Sequence, residues 1–346
     1  MQRKCFDILQ TSISMKNNNQ KIAFTICSIN YLAQAIALGN SLTSQNADYD
    51  FKIGLVDKVD GYQTVLQNIP YELIEVKNIQ IPNFNSFCDR YNITELNTAV
   101  KPFFFEYLFS NNPVSDIILY LDPDIYVYDK FEALEAGLSD NQIILTPHAT
   151  SPITDDKYPK EMDFLNTGIY NLGFIGMRRG EESFKLIKWW QERLRDYCYV
   201  DFEKGLFVDQ IWINLAPLFF KKVFILFDLG YNIAYWNLHE RSLIKQSDGK
   251  YFVNNNYPLV FYHFSGYNLD KVYEISKYQN RNSFSTRPEL ADLFDAYNKS
   301  VMALDHRTFQ NIPCYFVQQG PRKKISFHIK LGRAIKTQLH KIINSK

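Results

Sequence analysis

Ser115-Asp116-Ile117-Ile118-Leu119-Tyr120-Leu121-Asp122-Pro123-Asp124-Ile125-Tyr126-Val127 is an apolar run broken by two carboxylates one residue apart. Its first half is β-branched and aromatic and reads as a buried strand. Charged groups do not pack unpaired in a core, so Asp122 and Asp124 belong in a cleft. Open α/β sheets bind ligands there, beyond the carboxyl ends of their strands. Two carboxylates so placed suit a hard divalent cation, Mg2+ or Mn2+, which takes oxygen ligands and keeps positions open for phosphate. Such a cation stabilises charge developing on a diphosphate leaving group. The competing reading is an ordinary Asp-Pro-Asp turn.

Outward from this stretch the chain alternates strand and helix. Lys21–Cys27, Phe51–Val56, Tyr71–Val76 and Gln142–Thr146 read as further strands. A helix from Tyr31 to about Leu42 takes Asn30 as its cap, and another lies between Glu95 and Phe109, interrupted by Pro102. This rhythm predicts an α/β chain with a parallel, doubly wound sheet. After Thr146 it changes. Gly168–Met177, Val223–Phe227 and Leu259–Phe264 read as strands, and Pro288–Ala303 as a helix. Ser183–Tyr197 is an amphipathic helix with Phe184, Ile187, Trp190, Leu194 and Tyr197 on one face. Trp190 therefore reads as core rather than as a sugar platform with Trp189.

The chain has 346 residues, 46% of them hydrophobic, enough for a substantial core. From Gly320 onward there are eight Lys or Arg and no Asp or Glu, which leaves 30 basic and 37 acidic residues before it. A mildly acidic body argues against nucleic acid as a partner. Five scattered cysteines without a CxxC pair suggest reduced thiols in a cytoplasmic protein. No apolar run approaches the roughly 20 residues of a membrane helix, and residues 1–20 lack the apolar core of a signal peptide. The division expected is an extension over 1–20, a catalytic domain over 21–319 with its halves meeting near 150, and a basic tail over 320–346.

Five segments, in order, resemble bacterial GT-A glycosyltransferases of the family 8 group that includes glycogenin and lipopolysaccharide galactosyltransferases. They are Ile22–Leu32, Tyr120–Ile125, Leu165–Leu172, Val208–Asn214 and Tyr262–Gly266. The resemblance covers about Lys21 to Ser285. It implies a GT-A fold, a mostly parallel sheet flanked by helices, and a nucleotide-sugar donor, UDP-sugar first. It also implies Mn2+ or Mg2+ held by Asp122, Asp124 and His263. One departure is clear: the family continues after the glycine with Lys-Pro-Trp, whereas Gly266 is followed by Tyr267-Asn268-Leu269-Asp270, and the nearest basic residue is Lys271.

Roles follow from the resemblance. Thr25, Cys27, Ser28, Tyr31 and Asp57, at the ends of the first two strands, are expected at the donor base and ribose. Tyr31 either lies along the base or is the first packing residue of its helix. Lys101 and Gly266 are expected near the diphosphate, with Lys101 as a solvated helix lysine the alternative. Asn166, Asp209 and Gln210 are expected at the donor sugar. If the enzyme retains anomeric configuration, as the family does, Gln210 lies near the β-face of the sugar. If it inverts, Asp209 or Asp163 serves as general base. Trp236, Tyr231 and Asn232 are expected to border the acceptor, a glycan, lipid-linked or protein substrate of surface polysaccharide or glycoconjugate synthesis. His148 either borders the same cleft or is a loop histidine.

In the tail, Leu331, Ile335, Leu339 and Ile342 recur at helical spacing among Lys330, Arg333, Lys336 and Lys341. That pattern fits a helix lying on the anionic inner face of the cytoplasmic membrane, or docked on the acidic body. The aromatic content is compatible with a homodimer. Two other functions compete. A sugar nucleotidyltransferase shares such sheets, but no glycine-rich phosphate loop stands near the N-terminus. A non-catalytic sugar-binding scaffold on the same frame leaves the carboxylates and histidine without a purpose.

Overall fold

A computed structural model describes residues 21–316. The extension 1–20 and the tail 320–346, with its amphipathic pattern, lie outside the described residues. The central sheet has seven strands. Its members are β1 (Lys21–Cys27), β2 (Tyr49–Leu55), β3 (Glu72–Glu75), β4 (Ile117–Leu121), β6 (Ile143–Pro147), β7 (Tyr170–Arg178) and β10 (Val223–Ile225), in the order β10-β6-β7-β4-β1-β2-β3. Between β4 and β6 in sequence, the short β5 (Ile125–Val127) leaves this sheet; β8 (Val200–Asp201) and β9 (Leu206–Phe207) form a separate hairpin.

β1 to β4, β6 and β10 all run in one direction, and β7 runs against its neighbours β4 and β6. The sheet is thus mostly parallel rather than wholly so. One polypeptide stretch beyond Thr146 enters its middle, so the two halves of the chain share one sheet. Both faces are covered, which is why the strands read as near-continuous apolar runs. Ala23 and Cys27 of β1 pack with residues of the helix Leu32–Gln45, and Ile22, Phe24 and Ile26 pack with those of Lys101–Asn111 and Glu181–Tyr197.

Local differences from the sequence expectation have physical causes. The helix Leu32–Gln45 is entered through a 3-10 turn, Ile29–Tyr31, and Asn30 does not cap it. Instead Asn30 accepts a hydrogen bond from Ser28 Oγ at 2.9 Å. The helix around Pro102 is two helices, Ile93–Ala99 and Lys101–Asn111. Pro102 sits in the first turn of the second, where its missing N–H has no partner to lose. Asn92 caps the first, accepting from Glu95 N at 3.0 Å while Glu95 accepts from Asn92 N at 3.0 Å. In Glu181–Tyr197, Ile187, Trp190 and Leu194 are buried as expected, but Phe184 and Tyr197 are exposed; Ser183, Leu186 and Gln191 complete the inward stripe.

β11 (Leu243–Lys245), β12 (Tyr251–Val253) and β13 (Tyr257–Pro258) form an antiparallel sheet, and β14 (Phe261–His263) pairs antiparallel with β5. Pro288–Ala303 resolves into a 3-10 turn, Pro288–Leu290, and the helix Ala291–Met302. Cys27, Cys88, Cys198 and Cys314 are buried and reduced. Among the described residues no helix is long and apolar enough to cross a membrane.

Candidate functional site

β4 ends at Leu121, and Asp122 turns the chain away from the sheet. Its N–H donates to Gly173 O at 2.7 Å, and its carbonyl accepts from Ile125 N at 3.0 Å. This tight return lets β5 run beside β14, where His263 stands opposite Ile125. Phe264 N donates to Asp124 O at 2.9 Å and His263 N to Ile233 O at 2.7 Å, so the histidine backbone is fixed on both sides. His263 Nε2 then lies 3.0 Å from Asp124 Oδ1 and 3.7 Å from Asp122 Oδ2. One ligand atom from each of Asp122, Asp124 and His263 falls within 4.8 Å of the others.

The chemistry of this set suits a divalent ion. Burial alone would lower the His263 pKa, but the Asp124 and Asp122 carboxylates outweigh it and raise it. The two carboxylates are only partly buried, while the imidazole is buried. Two oxygen donors and one nitrogen donor facing a common point fit Mn2+ or Mg2+ and leave positions open toward the cleft. The missing Cβ of Gly173 makes room for the ring: a Cβ there would stand 2.3 Å from His263 Cε1.

The same carboxylates form part of the wall of a cleft of roughly 330 Å³ between the carboxyl ends of β1 and β4. Cys27, Ser28, Tyr31 and Gly266 line it. Tyr31 is 46% exposed there. Asn97, Lys277 and Tyr278 also line it, and no motif marks them. Lys277 lies further along the loop after Gly266 than Lys271, and it places a cation on this wall. Its only signal in the sequence is a basic residue next to an aromatic one.

Other expected residues stand elsewhere. Thr25 lies within β1 and is fully buried, because the strand continues past it. Asp57 is buried and accepts from Ile29 N, Lys58 N and Tyr315 N, so it ties the end of the described chain to β2 instead of facing the cleft. Asn166 is exposed on the helix Glu161–Thr167, where the resemblance implies a strand, because the strand begins only at Tyr170. Tyr231 points into the core, where its hydroxyl accepts from Leu134 N at 3.3 Å.

Lys101 and Asp209 form a buried pair at 2.8 Å, with Lys101 Nζ 3.8 Å from Asp122 and donating to Leu172 O at 2.9 Å. Burial would favour the neutral amine, but Asp209 and Asp122 outweigh it and hold the ammonium charged. Asp209 is buried in this pair and does not line the cleft; burial raises its pKa despite Lys101. Gln210 Oε1 accepts from Leu172 N at 3.0 Å and its Nε2 donates to Thr167 O at 2.9 Å, which shapes the entry into β7. Behind the triad lies a buried polar network. His148 Nε2 and Asn171 Nδ2 are 3.1 Å apart, Asn232 Nδ2 donates to Asn171 Oδ1 at 3.1 Å, and Trp236 stands edge-on to both His148 and His263. Asn232 and Trp236, expected at the acceptor, belong to this support. Burial pushes the His148 imidazole down to about 3, so it is neutral.

No family model matches the chain. It is similar to the uncharacterized protein YfnF of Bacillus subtilis (strain 168), at 26% identity over 283 residues, 80% of this chain and 90% of that protein. Among solved structures it is similar to the glycosyltransferase GlyE of Streptococcus pneumoniae TIGR4, at 18% identity and a TM-score of 0.43. That match covers 85% of this chain and 62% of GlyE's, so the chain spans less than two thirds of that solved structure. It is also similar to the galactosyltransferase LgtC, solved with donor and acceptor sugar analogs, at 15% identity and a TM-score of 0.45, over 84% of this chain and 97% of LgtC's. None of these likenesses fixes an activity for this chain.

Proposed function

We propose that this chain is a metal-dependent glycosyltransferase of the GT-A type that moves a sugar from a nucleotide-sugar, UDP-sugar first, to an acceptor hydroxyl. The observation that carries the reading is the meeting of Asp122, Asp124 and His263 on a cleft at the carboxyl ends of β1 and β4. Asp122, Asp124 and His263 would hold Mn2+ or Mg2+, which would supply positive charge against the donor diphosphate. Tyr31 offers a ring for the base. Lys277 gives the diphosphate a second cation from the opposite loop. Lys101, charged between Asp209 and Asp122, holds the Asp122 carboxylate in place and adds positive potential beneath the diphosphate.

Among the described residues lining the cleft, Asp122 and Asp124 are the only carboxylates. No separate carboxylate lines the cleft as a nucleophile, so no covalent sugar intermediate is proposed; retention rests on the family resemblance alone. Gln210, with both amide ends held by backbone, acts as a positioning residue for β7.

Thermal unfolding with UDP, GDP, TDP and CDP, each with and without Mn2+, tests the donor site. A ligand that binds only the folded state stabilises it by about 2.7 kcal/mol at a hundredfold excess over Kd. The expected result is a shift with one nucleotide plus metal, lost in Asp124→Ala. A folded wild type that responds to none of the four defeats the reading. For the basic tail, we propose contact with an anionic membrane surface. Cosedimentation with phosphatidylglycerol vesicles should fall on truncation after Gln319, and equal sedimentation of both forms rules the contact out.

A further inference from the structure

Three tyrosines lie on joined segments beside the donor cleft: Tyr278 lines it, Tyr235 stands next to Tyr278, and Tyr158 comes from a loop tied to the segment after Tyr278. Tyr278 lines the cleft and is 46% exposed. Its ring is seated on Gly266, where a Cβ would lie 2.5 Å from it and where φ is +71°. Tyr278 N donates to Ser276 Oγ at 3.2 Å. The Tyr235 ring lies 6.2 Å from that of Tyr278 and 5.0 Å from Trp236, which packs edge-on against His263. The platform is thus continuous with the metal triad.

Tyr158, 48% exposed, comes from a different loop. Tyr158 N donates to Asn280 Oδ1 at 2.7 Å, and Asn280 N donates to Tyr158 O at 3.2 Å. Arg281 adds bonds to Asp155 at 2.8 Å and to Pro159 O at 2.7 Å. The loops carrying Tyr158 and Tyr278 are therefore fastened to each other.

We propose that Tyr158, Tyr235 and Tyr278 form an acceptor platform for a pyranose ring, so that the acceptor is a saccharide. The proposal rests on the glycosyl-transfer reading above. A pyranose presents an apolar C–H face to aromatic rings and hydroxyls to phenols. In the transfer, an acceptor hydroxyl oxygen bonds to the donor's anomeric carbon and the bond from that carbon to the diphosphate oxygen breaks. The nucleoside diphosphate leaves with the electron pair and takes the hydroxyl proton.

Saturation-transfer NMR on the full chain loaded with UDP and Mn2+ tests this, with methyl β-D-galactopyranoside, methyl α-D-glucopyranoside and methyl α-D-mannopyranoside as probes. At least one pyranoside should give signal on the wild type. That signal should fall about fivefold or more in Tyr158→Ala and in Tyr235→Ala and persist in Tyr235→Phe, which keeps the ring. Tyr158→Ala removes a half-exposed ring and leaves the backbone bonds to Asn280, so it reports on contact rather than folding. A wild type that takes UDP with Mn2+ but no pyranoside overturns the platform alone, as does a signal that survives both alanine variants. A wild type that takes no UDP overturns the donor-site reading and the platform with it.

Discussion

Gly173 shows how one hydrogen atom decides a ligand's position. His263 lies against β7, and its ring occupies the space any Cβ at residue 173 would fill. Gly173→Ala should therefore displace the imidazole. We expect the Mn2+-dependent UDP shift to vanish and the ligand-free protein to lose about 1–3 kcal/mol from overpacking, measured by urea unfolding. An unchanged metal response would mean that His263 does not hold the ion. Asp122 and Asp124 were legible in the sequence as carboxylates after a buried strand, whereas His263 entered only through the family resemblance. Gly173 was not: a glycine in a strand has no signal until its neighbour is known.

At the scale of elements, the entry into β7 rests on Gln210. Its amide satisfies Leu172 N and Thr167 O, two backbone groups on either side of the bend at Gly168, whose φ is +127°. Gln210→Ala leaves both unpaired and should cost about 1–3 kcal/mol. Chemical denaturation measures that cost, and a loss near zero would return Gln210 to a direct role at the sugar. The alternation of strands and helices up to Thr146 was readable from periodicity. The antiparallel course of β7 was not, since a strand buried on both faces has the same apolar composition in either direction. Asn166 shows the related limit: its Asn-Thr-Gly segment resembles a strand start, yet the helix Glu161–Thr167 extends through it.

At the scale of the whole molecule, His148 links stability to pH. Its folded pKa lies near 3, below the ordinary 6.5, because burial penalises the imidazolium. The unfolded chain therefore binds a proton that the folded one refuses between those values. Stability from this group is present above about pH 6.5 and is lost as pH falls toward 3. His148→Gln should flatten that part of the stability profile, read as the denaturant midpoint from pH 7 to pH 4. A profile as steep as the wild type's would locate the acid loss elsewhere.

By itself the sequence determined the α/β class, the strand that ends at Asp122, the core role of Trp190 and the residue types available for a metal. Those properties are local: they follow from hydrophobic period and from the cost of burying unpaired charge. Tertiary structure alone decided which groups meet. His263 reaches Asp124 because β14 pairs with β5, and Lys101 reaches Asp209 across the space between two distant helices. Asp57, Tyr231 and Asn232 were diverted from the expected site because buried backbone and side-chain groups nearby needed partners. Each outcome depends on contacts between segments remote in the chain, and no local pattern encodes the partner.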